Sequence, residues 1–122
     1  MSYWKNHAEF ADLKGKVLKK AYASGDEIYF VTVDDETYKL YHAQDCCEVV
    51  EIESIVGDLD DLLTWPILLA EEASGDVETE DEWSDSKSWT FYKIATIKGY
   101  VDIRWTGSSN GYYSESVDFV KV

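Results

Sequence analysis

Ser88-Trp89-Thr90-Phe91-Tyr92-Lys93-Ile94-Ala95-Thr96-Ile97 and Tyr100-Val101-Asp102-Ile103-Arg104-Trp105-Thr106, separated only by Lys98-Gly99, decide the fold class of this chain. In the second run Val101, Ile103 and Trp105 alternate with Asp102 and Arg104, the two-residue period of a strand with one buried and one wet face. The pattern predicts that the three apolar side chains enter the core and that Asp102 and Arg104 lie on the opposite face. Lys98-Gly99 is short enough for a hairpin turn. Gly107-Ser108-Ser109-Asn110-Gly111 reads as the next turn, leading to a third strand-like run over Tyr112–Phe119.

Working outward toward the N-terminus, Ile28–Val33 and Thr37–Tyr41 are rich in β-branched and aromatic residues, and Asp34-Asp35-Glu36 between them predicts a hairpin. Ser24-Gly25-Asp26 marks an earlier turn, which makes Val17–Ala23 a third strand of the same meander. Val49–Ile55 alternates apolar and acidic residues and predicts another strand. Two short helices are expected. One lies within Tyr3–Leu13, stopped by Gly15. The other is capped by Asp58, runs through Leu63, and ends before Pro66. Ile67–Ala70 is a short apolar run whose type periodicity does not fix. The expected architecture is α+β: one domain over residues 1–122, mostly antiparallel sheet built of meanders and hairpins, with one or two short helices.

Glu71 to Asp85 interrupts this pattern with eight acids in fifteen residues, and a mobile acidic loop is expected at about residues 75–86. The whole chain of 122 residues has 25 Asp and Glu against 11 Lys and Arg, a formal charge of −14. That balance argues against direct binding of nucleic acid or an anionic membrane, both of which recruit cations. With 45% apolar and 15% aromatic residues the chain has enough apolar surface to fold. No apolar run approaches the roughly 20 residues that cross a bilayer, and Met1-Ser2-Tyr3-Trp4-Lys5 starts no signal peptide. Cys46 and Cys47 are adjacent, so they close no useful disulfide loop, and a reducing cytoplasm is expected.

Three features could carry chemistry. His42, Asp45, Cys46 and Glu48 bring the zinc-ligating residue types together near a strand exit, although the spacing is not that of a zinc knuckle. The favoured reading of the same run is a hydrogen-bonded polar turn, and a Cys-His nucleophile pair is the remaining alternative. No cofactor is expected beyond this candidate zinc. The second feature is aromatic: Trp89, Phe91, Tyr92, Tyr100, Trp105, Tyr112 and Tyr113 with Arg104 could stack a ring and clamp an anion, with Trp89, Tyr92, Arg104, Tyr112 and Tyr113 the binding candidates, against the alternative that such residues fill the core. The third is the charge. Glu71, Glu72, Glu78, Glu80, Asp81 and Glu82, with Glu51 and Glu53 on the outer face of their strand, could dock a basic protein or simply keep the chain soluble. His7 reads as solvent-exposed. No Gly-x-Ser-x-Gly elbow, Walker loop, dinucleotide fingerprint or His-Glu-x-x-His helix is present.

The run His42-Ala43-Gln44-Asp45-Cys46-Cys47-Glu48 resembles a small family of unknown function common in tailed phages and prophages. The resemblance continues through Gly57-Asp58-Leu59, Pro66-Ile67, Ala70-Glu71-Glu72, Trp89-Thr90-Phe91-Tyr92, Lys98-Gly99-Tyr100-Val101, Ile103-Arg104-Trp105 and Ser109-Asn110-Gly111-Tyr112-Tyr113-Ser114, about Leu13 to Phe119 without the acidic loop. It implies phage context and a host-cytoplasmic setting, and no established activity. The expectation is a non-enzymatic phage accessory protein that binds and inhibits a basic host or defence protein that handles nucleic acid. The alternative is a small-ligand or nucleotide binder, or a metal-dependent hydrolase centred on His42, Asp45, Cys46 and Glu48.

Overall fold

A computed structural model describes residues 8–42, 49–77, 86–109 and 117–122. Eight strands occur among them: β1 (Leu18–Ser24), β2 (Glu27–Thr32), β3 (Thr37–Tyr41), β4 (Val49–Val56), β5 (Leu69–Val77), β6 (Ser86–Thr96), β7 (Gly99–Ser109) and β8 (Asp118–Lys121). They form two four-stranded antiparallel sheets, ordered β1-β2-β3-β8 and β4-β7-β6-β5. The β6–β7 hairpin is the longest ladder, running from Thr96↔Gly99 at the turn to Ser86↔Ser109. Val101, Ile103 and Trp105 are buried, and Asp102 and Arg104 are half-buried on the other face, as the alternation requires.

Both sheets contribute to one core. Leu18, Ile28, Phe30, Leu40 and Phe119 come from the first sheet; Val50, Tyr92, Ile94, Val101, Ile103 and Trp105 come from the second. Phe10 joins them, its ring centroid 4.8 Å from Tyr92 of the second sheet and 5.4 and 6.1 Å from Phe119 and Phe30 of the first. A polar tie adds to this: the Ile52 amide donates to Asp26 Oδ1, 3.3 Å away in the β1–β2 turn. The first sheet's exposed charges are largely paired. Lys16 and Lys121 both reach Glu36, Lys19 reaches Asp35, and Lys39 reaches Glu27. Hydrogen bonds from Lys121 and then Lys16 hold the Glu36 carboxyl below the usual carboxylate range.

Two expectations are corrected. Among the described residues the expected helices are four-residue 3-10 turns, Phe10–Leu13 and Leu59–Leu62, residues 3–7 of the first lying outside them, so the class is largely β rather than α+β. An isolated α-helix must offset a costly nucleus over many residues. Here Gly15 (φ +88°) follows the first turn and Gly57 (φ +106°) precedes the second, with Thr64 (φ +81°) ending it. Asp58 does cap the second turn, accepting from the Asp60 amide at 2.9 Å. The other correction concerns the acidic loop expected at 75–86: β5 extends to Val77 and β6 begins at Ser86, so only residues 78–85 lie outside the described structure. Ladder hydrogen bonds come from the backbone, and an edge strand tolerates charged side chains that a central strand does not. The same reason makes Leu69-Ala70, left untyped by its sequence, the start of β5.

Candidate functional site

The second sheet buries one face and leaves the other open. On its outer face the register sets Ser54, Arg104, Phe91 and Ala73 in one row across the four strands, and Val56, Asp102, Lys93 and Glu71 in the next. Trp89 stands one row beyond Phe91 on the same face of β6, since it is two residues away. The Arg104 guanidinium lies over both rings, 5.8 Å from the Trp89 centroid and 5.4 Å from that of Phe91, within cation–π range.

A bulge in β4 completes the arrangement. The β4–β7 register shifts between Ile52 and Ser54, so Glu53 is the extra residue and both Glu53 and Ser54 reach the outer side. Glu53 Oε2 accepts from Trp89 Nε1 at 3.2 Å and sits 3.5 Å from Arg104 Nε, a long ion pair. Glu53 thereby fixes the indole and the guanidinium against each other. Beside them opens a groove of about 440 Å³, lined by Ser54, Val56, Ala73, Phe91, Asp102 and Arg104 among others. Asp102 Oδ1 and Arg104 Nε are shielded from solvent and have no hydrogen-bond partner among the described residues.

The expected site residues divide accordingly. Trp89 and Arg104 meet as expected. Tyr92 does not join them: it points into the core, fully buried, opposite Glu72 in the ladder. Burial, reinforced by the Glu72 and Asp118 carboxylates, holds its hydroxyl well above the usual phenol range. Unfolded tyrosine ionises near pH 10. Above that pH the unfolded chain releases a proton that the folded one keeps, so stability falls as pH rises. Tyr92→Phe should flatten that alkaline limb. Urea midpoints of both proteins between about pH 9 and pH 11 check this, and parallel curves would contradict it.

Among the acids, Glu51 is exposed on the outer face of β4, while Glu53 is engaged by Arg104 and Trp89. Glu71 lies outward beside Lys93, and Glu72 shares the Tyr92 face. Glu78, Glu80, Asp81 and Glu82 lie outside the described residues, as do Tyr112, Tyr113, His7, Asp45, Cys46 and Glu48. His42 is half-buried just beyond β3. Among the described residues no three or more His, Cys, Asp and Glu side chains cluster to hold a metal, and no helix is long and apolar enough to cross a membrane. Phe91 was part of the aromatic group read from the sequence; Lys93 and Asp102 also belong to the groove but were not singled out as binding residues. The parity of β6 and β7 was the available signal, since Phe91 and Lys93 share a face with Trp89, and Asp102 with Arg104.

A family model described as a domain of unknown function (DUF7448) matches residues 11–119, nearly the whole chain. The chain belongs to the DUF7448 family. No curated protein and no solved structure matches it. Within this DUF7448 chain the charge is unevenly placed. Residues 43–117, which include all of the second sheet, hold seventeen acids and four bases. Glu51, Asp58, Asp60, Asp61, Glu71 and Asp102 make no ion pair with another described residue; beside the first sheet Glu27, Asp35 and Glu36 are paired, and Asp26 and Asp34 are not. In the DUF7448 groove the hydroxyl of Ser54 has no histidine near it among the lining residues. The arrangement is an outer sheet face that carries aromatic rings, the Glu53 and Asp102 carboxylates and the Lys93 and Arg104 cations.

Proposed function

We propose that this protein is a phage-encoded, non-catalytic accessory protein that acts in the host cytoplasm by docking, and so inhibiting, a basic host or defence protein that handles nucleic acid. The observation that carries this reading is the segregation of charge. Around the first sheet Glu27, Asp35 and Glu36 are held in ion pairs, whereas Glu51, Glu71 and the Asp58–Asp61 turn around the second make no ion pair with another described residue. Such a surface is steered toward a basic cleft, and a cleft that ordinarily takes nucleic acid presents the matching charge. Half-buried Trp89 and Arg104 with the more exposed Phe91 and Tyr100 supply the anchors that area and charge alone do not, since binding energy concentrates in aromatic and arginine side chains. Phe91 and Tyr100 are 37% and 62% exposed on the same outer face as Trp89 and Arg104.

The test is a binding titration against the basic protein captured from host lysate. Affinity should fall steeply between about 0.01 M and 1 M salt, where the screening length shrinks from about 30 Å to 3 Å. A Glu51→Gln, Asp60→Asn, Asp61→Asn, Glu71→Gln variant should associate about tenfold more slowly or worse at low salt, with little change in melting temperature, because exposed charges contribute little to stability. Salt-insensitive binding that survives the four substitutions would overturn the electrostatic reading.

A further inference from the structure

We propose that the outer face of the second sheet closes against the same face of a second copy of this chain, about a two-fold axis running along the strands between β6 and β7. The inference goes beyond the docking reading. The dimer covers Phe91 and Tyr100, so the second copy and the basic partner compete for one surface. Val56, Phe91 and Tyr100 are exposed on this face and Ile97 at its turn, whereas the strands of the first sheet expose only Tyr22 among their described large apolar residues. An outward apolar patch of this kind marks an interaction surface. Asp102 Oδ1 and Arg104 Nε are already out of water there, so a covering sheet takes little further hydration from them.

The charges choose the occupant. Lys93 is exposed and makes no ion pair with another described residue, and with Arg104 it puts two cations in the middle of the face. A basic segment laid over the centre would meet both of them, and an anion would meet Asp102 and Glu53. A face of mixed sign in matching register avoids both conflicts. In an isologous contact about this axis, each β6 residue faces, on the second copy, the β7 residue that it pairs with in its own ladder. Those pairs are Ala95 with Tyr100, Lys93 with Asp102, Phe91 with Arg104 and Trp89 with Thr106. Between copies they set small on large, ammonium on carboxylate, ring on guanidinium and indole on a short side chain. At the margins Val56 faces Glu71 and Ser54 faces Ala73, so no like charges meet. The four strands are eight to eleven residues long. They make a face of roughly 20 Å by 30 Å in plan. With side-chain relief added, that approaches the roughly 800 Å² per partner of a standard stable interface.

The experiment is sedimentation equilibrium of the full chain, of Lys93→Glu, of Asp102→Lys, and of an equimolar mixture of these two variants. The wild type should sediment as a dimer of the 14.0 kDa chain. Each variant alone sets two like-charge contacts across the axis and should dissociate at least about tenfold more readily. The mixture should recover the dimer, because one variant then supplies two acids and the other two bases at facing positions. Lys93 is exposed, so Lys93→Glu should keep the wild-type circular dichroism; if Asp102→Lys does not fold, Lys93→Glu alone decides. A wild type that stays monomeric up to about 1 mM, where association is worth only about 4 kcal/mol, would overturn the inference. So would a dimer that Lys93→Glu leaves intact, or folded variants whose mixture stays monomeric. The two readings fail separately. A monomer that still binds the captured basic protein in a salt-dependent manner removes the dimer and leaves the docking. A dimer that follows the charge swap, while the captured protein binds regardless of salt, does the reverse.

Discussion

Replacing Phe10 with alanine should destabilise the protein by about 3–5 kcal/mol, the range for deleting a large buried aromatic. Phe10 belongs to no strand. It sits on a four-residue 3-10 turn, 2% exposed, with its ring against Tyr92 from one sheet and Phe30 and Phe119 from the other. Deleting it removes the aromatic contacts that span the two sheets as well as the buried area. The backbone around it has little freedom to collapse into the gap. The Gly15 amide donates to Ile67 O at 2.8 Å just after the turn, and the Ala8 amide donates to Phe119 O at 3.0 Å just before it. For a chain of this length each kcal/mol lowers the melting temperature by roughly 3–6 °C, so a fall on the order of 10–25 °C is expected. Phe91→Ala is the comparison: its ring lies on the open face, and surface truncations typically change stability far less. A Phe10→Ala loss no larger than that of Phe91→Ala would show that the turn is not holding the sheets together.

The strands of this fold are legible because one face of each is wet. Ile28, Phe30 and Thr32 alternate with half-buried neighbours in β2, and Val101, Ile103 and Trp105 do so in β7; in such elements the period of the sequence is the period of the burial. Strand β5 was hidden for the opposite reason. Its pairing residues include Glu71, Glu72, Gly75 and Asp76, which look like a loop because their side chains do not report the ladder their backbones make with β6. The 3-10 turns were overextended into helices because Phe10 and Leu13, or Leu59, Leu62 and Leu63, satisfy helical and 3-10 spacing alike over so few residues. The site was half legible. Parity placed Asp102 and Arg104 outside the core, but it could not show that a bulge would deliver Glu53 to Arg104 and Trp89, because a bulge changes register without any necessary mark in composition. Tyr92 was grouped with Trp89 by type when the alternation already set them on opposite faces.

Gly57→Ala should cost about 2–4 kcal/mol, well beyond the roughly 1 kcal/mol of a simple loss of glycine's conformational freedom. Gly57 ends β4 at φ +106°, outside the left-handed basin that other residues visit. A Cβ there would stand 2.5 Å from the carbonyl oxygen of Tyr100 and 3.3 Å from Val101 Cα. Those atoms are backbone of β7, which is hydrogen-bonded to β4 on one side and β6 on the other, so they cannot step aside without opening a ladder. Gly25→Ala is the control, since Gly25 also has positive φ (+59°) but nothing within 4 Å of an added Cβ. Denaturant midpoints of the two variants separate strain from collision: Gly25→Ala carries the first alone, and Gly57→Ala carries both. The consequence reaches the groove, because Val56 precedes Gly57 and Asp102 follows Val101, and both line it. In the folded fraction of Gly57→Ala the amides of Val56 and Asp102 should move while those of β2 stay in place. Equal costs for the two alanines would mean that β4 slides freely on β7, and that the close approach of Gly57 to Tyr100 does not lock the two strands together.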